Sequence, residues 1–223
     1  MYMSNVAVIL AGCGVKDGSE IHEATLALYF LDEAGANVQI FAPDRPQHHV
    51  VNHQTDDESL SEKRNILTES ARIARGNVRR VSELNMDAFD AIIFPGGFGA
   101  AKNLCNYALE GVNFSVQEDI ANIITQAHEA NKVLGFICIA PVMAAKLIPG
   151  VCVTVGGASD TSKHIEQLGA IHQNSQVDEV VWDEEHRVAS TAAYMVGTSI
   201  KDIGAGIKAL CDVVMAKAIV SVT

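Results

Sequence analysis

The feature that most constrains the fold is a repeated pattern: short apolar runs bounded by glycine, proline or asparagine, with longer segments between them. Residues 5–10, 38–41, 91–94 and 133–137 are rich in Val, Ile and Phe. Runs of that length without polar alternation are expected of strands buried on both faces of a sheet. The intervening segments have helical period. Ile21, Ala24, Leu28 and Leu31 recur at three- and four-residue steps, as do Ile200, Ile203, Ile207, Leu210 and Val214. Strands alternating with helices predict βαβ units, a mostly parallel sheet and right-handed crossovers. Ligands of such sheets sit beyond the carboxyl ends of the strands. The fold expected is an α/β sandwich. Two stretches break the pattern. Segment 44–62 is polar and without period, and predicts a long excursion from the sheet. Segment 173–187 predicts a small antiparallel ribbon pairing residues 177–182 with 188–191.

A chain of 223 residues, 48% hydrophobic and 19% charged, can form one large core, and residues 1–223 are expected to make a single domain. Such a chain buries roughly 70% of the surface that its unfolded form exposes, so it needs no disulfide or structural metal to fold. The net charge of −11 argues against a nucleic-acid backbone or an anionic membrane surface as partner. No run is long and apolar enough to span a bilayer. The opening MYMSNVAVIL lacks a basic region and a small-residue cleavage site, and leaves no room for a transit peptide. The five cysteines, Cys13, Cys105, Cys138, Cys152 and Cys211, have no paired or zinc-ribbon spacing. Reduced thiols and a cytoplasmic location are expected.

Three segments can carry chemistry. In Gly135-Phe136-Ile137-Cys138-Ile139-Ala140-Pro141 a buried strand runs into Cys138, and Pro141 suits the first turn of a following helix. A cysteine at such an elbow stands at the sheet's carboxyl edge near a helix start, which favours the thiolate; a structural cysteine at a strand end fits the same residues. Pro95-Gly96-Gly97-Phe98-Gly99 follows the strand 91–94. Its Gly96 and Gly97 amides, with that of Ile139, could hold an oxyanion, or the glycines could serve only a tight turn. The pattern does not fit a dinucleotide fingerprint. In Gly12-Cys13-Gly14-Val15-Lys16-Asp17-Gly18-Ser19-Glu20-Ile21-His22-Glu23, Asp17 and Glu20 have capping-box-like spacing. Glu23 then falls early in a helix beside Ala27 and Phe30, where partial burial would raise its pKa toward acid–base use; a plain helix-dipole partner is the other reading.

Taken together, AGCGVKDGSEIHE, FPGGFGAAKNL, GFICIAP and TAAYM closely resemble the ElbB-like glyoxalases, or enhancing-lycopene-biosynthesis proteins, of the PfpI and class I glutamine amidotransferase-like superfamily. The resemblance runs from Val6 to about Val214. It implies a flavodoxin-like three-layer sandwich with a nucleophile elbow, a homodimer, and glutathione-independent glyoxalase activity on small oxoaldehydes without metal or other cofactor. It places the nucleophile at Cys138, the acidic partner at Glu23 and the glycine loop at Gly96 and Gly97. Better glyoxalases of the superfamily carry a histidine where Gly156 stands in Val153-Thr154-Val155-Gly156-Gly157. The glutaminase His-x-Glu is missing, since the late histidine near a strand, His186, is followed by Arg187 and Val188.

The chemistry expected is attack of Cys138 on glyoxal or methylglyoxal, an alkoxide held by the Gly97 and Ile139 amides, and proton transfer by Glu23 through an enediol. With no second acid–base group at Gly156, weak turnover is expected. His22 points about 100° from Glu23 on a helix and is expected to face elsewhere. Cys13, Lys102 and Asn103 are candidates for the pocket, with packing against the loop for Cys13 and solvent for the other two as the plainer readings. His48, His49 and His53 lie in a polar loop with no evident fourth ligand, so no metal site is expected. A second class of function stays open, a cysteine-based redox sensor of the same fold.

Overall fold

The computed structural model describes residues 3–219; the remainder of the 1–223 span lies outside them. Nine strands and seven α-helices alternate among the described residues. The strands are β1 (Asn5–Ile9), β2 (Asn37–Ala42), β3 (Val78–Arg80), β4 (Ala91–Phe94), β5 (Val133–Ile137), β6 (Cys152–Val153), β7 (Ile171–His172), β8 (Val181–Asp183) and β9 (Val188–Thr191). The helices are α1 (Ile21–Glu33), α2 (Ile66–Ile73), α3 (Tyr107–Glu110), α4 (Glu118–Glu129), α5 (Pro141–Leu147), α6 (Asp160–Gln167) and α7 (Ile200–Ile219). Seven strands form one sheet in the order β3-β2-β1-β4-β5-β9-β8, and β6 pairs with β7 separately. Every pairing in the large sheet is parallel except β8 with β9.

Side-chain alternation explains the layering. Val6, Val8, Ile93, Val133 and Ile137 face α1 and α7, packing with Ala24, Ala27, Leu31, Ile203, Ile207 and Leu210. Ala7, Ile9, Ile92, Phe94, Leu134 and Phe136 face the other side, against Ile120 and Ile124 of α4 and Met143 of α5. Each fully buried Ile or Phe contributes roughly 1.5–3 kcal/mol. The result is a three-layer, mostly parallel sandwich. The face of α1 that turns inward carries Glu23, Ala24, Ala27 and Leu31, while Ile21 remains 44% exposed; a carboxylate thus takes the place that periodicity gave to isoleucine.

The strand order reverses direction between β1 and β4. Crevices for ligands open at such a point, outside the carboxyl ends of the strands. The excursion 44–62 stays irregular, tied by the bridges Pro46↔Asn65 and Val51↔Glu58. The antiparallel ribbon forms, but its first strand is Val181–Asp183 and begins four residues later than 177.

Candidate functional site

The turn from β5 to α5 forces Cys138 into a left-handed backbone, φ +64°. Its own N–H donates to Thr191 O of the neighbouring β9 at 2.9 Å, which pins the turn. Pro141 occupies the first turn of α5 as expected. Cys138 as a whole is only 8% exposed. Burial first, then the Glu23 carboxyl beside it, push its pKa well above the ordinary value; N–H bonds from Gly97 and Ile139 to the sulfur pull the other way. This corrects the thiolate expected from an elbow at a helix start. The resting group is a neutral thiol, because an apolar surround and an adjacent acid outweigh two amides.

Glu23 reaches the sulfur from α1. The helix is capped by Glu20, whose Oε2 accepts the Glu23 N–H at 2.7 Å; Asp17 is no cap, but a buried acceptor for Val51 N–H at 2.8 Å. Glu23 is fully buried. Its Oε2 accepts from Gly96 N–H at 3.0 Å, its Oε1 from Tyr194 N–H at 3.4 Å, and its carboxyl is hydrogen-bonded with the Cys138 thiol. Burial raises its pKa to about 7, against the lowering effect of those bonds. A carboxyl that titrates there can take and return a proton at neutral pH.

The glycine loop makes this contact sterically feasible. A Cβ on Gly96 would lie 2.5 Å from Cys138 Cβ and 2.6 Å from Glu23 Oε2. Because the Gly96 amide is committed to Glu23, it is not free for an oxyanion, which corrects one of the three donors expected. Gly97, at φ +94°, and Ile139 direct their N–H groups at the sulfur. Cys138, Gly97 and Ile139 open into a cavity of about 360 Å³, which Glu20, Phe98 and Tyr194 also line.

Glu20 and Tyr194 were not anticipated at the site. The signal for Tyr194 was the TAAYM segment, since β9 runs parallel to the elbow strand with Ile137 opposite Thr191. His22 does not line the cavity: its Nδ1 meets the Tyr194 hydroxyl at 2.7 Å and lies 3.8 Å from Glu20 Oε1. Three pocket candidates lie elsewhere. Cys13 does not line the cavity and sits near Arg72, Glu69 and Asp17. Lys102 Nζ donates to Lys16 O at 3.2 Å and meets His49 Nε2 at 2.9 Å. Buried Asn103 donates to the Ala11 and Asp17 carbonyls, each at 2.9 Å, and accepts His48 N–H. Lys102 and Asn103 thus brace the excursion and the first loop rather than the cavity.

Gly156, at φ +98°, has no room for a side chain, because a Cβ would press into Val196 Cγ1. The room that a side chain at Gly156 would take is filled by Val196. His186 pairs with Asp183 at 2.8 Å, level with the start of β9, which lies against the amino end of β5. It stands at the opposite edge of the sheet from Cys138, so no glutaminase-like triad is assembled among the described residues. Nor, among them, does any group of three or more His, Cys, Asp or Glu side chains cluster for a metal, and no helix is long and apolar enough to cross a membrane.

No family model matches the chain. It is 45% identical over 216 residues to the human "Glutamine amidotransferase-like class 1 domain-containing protein 3, mitochondrial", covering 93% of this chain and 81% of that protein. It is 35% identical over 208 residues to the zebrafish "ES1 protein, mitochondrial", covering 86% and 77%. The crystal structure of an isoprenoid biosynthesis protein with amidotransferase-like domain from Ehrlichia chaffeensis superposes with a TM-score of 0.88 at 36% identity, over 95% of this chain and 99% of that one. These relatives overturn the expected cytoplasmic location, since the curated ones are mitochondrial proteins. Unpaired thiols fit any reducing compartment and could not separate the two. With the elbow, the buried acid and these relatives in hand, the chain belongs to the ES1-like family of class I glutamine amidotransferase-like proteins.

Proposed function

We propose that the protein is a glutathione-independent glyoxalase that converts glyoxal or methylglyoxal to the 2-hydroxy acid through a hemithioacetal on Cys138. The observation that carries this reading is the buried thiol–carboxyl pair, with Glu23 titrating at about 7. The thiol adds to the aldehyde carbon as its proton passes to the Glu23 carboxylate. The new alkoxide lies against the Gly97 and Ile139 N–H groups and then takes that proton, leaving Glu23 ionised. Glu23 next removes the hydrogen from the thio-substituted carbon and returns it to the neighbouring carbon through an enediol. One carbon is oxidised and its neighbour reduced, giving a thioester. Water hydrolyses that thioester to glycolate or lactate and restores the thiol. With no acid–base side chain at Gly156, Glu23 carries each transfer, which supports weak turnover. A redox sensor of the same fold needs a reactive thiolate just as the addition does, so substrate turnover is what separates the two readings.

The test is glycolate formation from glyoxal without glutathione. The wild type is expected to turn over, with loss in Cys138→Ala and a sharp fall in Glu23→Gln. Wild-type turnover no faster than buffer would sink the proposal.

A further inference from the structure

Glyoxal is two carbonyls and nothing more, yet the cavity beside Cys138 measures about 360 Å³, inside the range of pockets that hold drug-sized ligands. Its walls include Phe98, Ala101, Tyr107, Ile139 and Met195. The polar tips among its aromatics already have partners. Tyr107 Oη meets His164 Nδ1 at 2.9 Å, and Tyr194 Oη meets His22 Nδ1 at 2.7 Å. A ligand group placed there gains little from hydrogen bonding and much from leaving water. The charge balance points the same way. The lining holds one carboxylate, Glu20, and no lysine or arginine. The neighbouring ammonium, Lys102 Nζ, 4.8 Å from the Phe98 ring centroid, is engaged with Lys16 O and His49. An anionic ligand would meet the Glu20 carboxylate with no lysine or arginine in the lining to offset it, the nearest basic ring being His22, 3.8 Å from Glu20 Oε1.

We propose that the site takes an uncharged α-oxoaldehyde bearing an aryl or branched alkyl substituent, with its aldehyde carbon at Cys138 and its tail against Phe98, Ala101, Tyr107 and Met195. The reacting group rests on the glyoxalase reading; the preference for a neutral, apolar tail rests on the cavity alone.

Two measurements separate these layers. The first needs no turnover: alkylation of Cys138, followed by peptide mass, with 2-bromoacetophenone, iodoacetamide and iodoacetate. Each rate is divided by that of a short cysteine peptide. Relative to iodoacetamide, the aromatic reagent is expected to be favoured about tenfold or more and iodoacetate disfavoured about tenfold. Ala108→Phe, which narrows the cavity from its exposed rim, is expected to cut the aromatic preference about fivefold. The second measurement compares kcat/KM for mandelate formation from phenylglyoxal with that for glycolate from glyoxal, expected to favour phenylglyoxal about tenfold. Reagent ratios equal to those of the peptide, or a preference untouched by Ala108→Phe, would overturn the proposed tail site even if glyoxal is consumed. Selective alkylation without turnover of either oxoaldehyde would retain the tail site and remove the glyoxalase reading beneath it.

Discussion

Two buried acid pairs stand at opposite edges of the same sheet, and their carboxyls titrate in opposite directions. At the amino edge, burial alone would raise Asp183, yet N–H bonds from Cys152 and His186 and the His186 ring bring its pKa below the ordinary value. Those bonds are short, at 2.6, 3.0 and 2.8 Å. At the carboxyl edge, burial wins at Glu23, whose N–H donors lie at 3.0 and 3.4 Å and whose third partner is the Cys138 thiol. A carboxylate with enough donors is a strut; one left short of them holds its proton near neutral pH and can move it. Donor supply and depth act together, since Glu23 is fully buried while Asp183 lies nearer the surface.

That comparison can be broken by substitution. Cys138→Ala is expected to lower glyoxal turnover at least ~10³-fold, while Asp183→Asn leaves turnover per folded molecule unchanged, as glycolate assays on both would show. Glu23→Gln is expected to lower kcat about 10²–10⁴-fold. The same variant should be the more stable protein in alkaline buffer. The folded pKa of Glu23 lies above its ordinary 4.5, so its contribution is fully present below that value and lost as the pH rises toward 7. Urea midpoints should therefore show Glu23→Gln gaining on the wild type across that window, by up to roughly 3 kcal/mol. Asp183 runs the other way. Its folded pKa is lowered, so its contribution exists at neutral pH and fades as the pH falls through the acid range. Asp183→Asn is expected to cost about 2 kcal/mol at pH 7 and less in acid. The smallest expected effect is at Gly156, where Gly156→Ala should lose about 1–2 kcal/mol by thermal melting, through φ strain and the press on Val196. A Gly156 variant that kept full stability would show that Val196 yields, and that a histidine could be installed there.

The central strands were legible because β1, β4 and β5 are buried on both faces and carry no polar interruption. Strand β3 was not, since its Arg79 and Arg80 are exposed on the sheet's edge; β6 and β7 are two residues each and too short for any period. At the site, Cys138, Gly97 and Ile139 could be read because each lies just past a punctuated strand end, and Glu23 because it falls in the first turn of α1. Lys102 and Asn103 follow the glycine loop just as closely, yet the single π-helical turn Ala100–Leu104 directs them toward the first loop and the excursion. Side-chain direction within an irregular turn is set by contacts distant in sequence, and adjacency along the chain does not report it. Glu20 was assigned to the cap alone, although a carboxylate has two oxygens and the second can still face the cavity.

The left-handed backbone of Cys138 has an evolutionary corollary. Residues other than glycine and, at times, asparagine or aspartate lose about 1–2 kcal/mol in that conformation, so the thiol is held against the local preference of its own backbone. A saturation library scored for cellular abundance should rank glycine above cysteine at position 138, whereas the same library scored for oxoaldehyde clearance should retain cysteine alone. In a gene copy released from any selection on the thiol, this position would be among the first to drift.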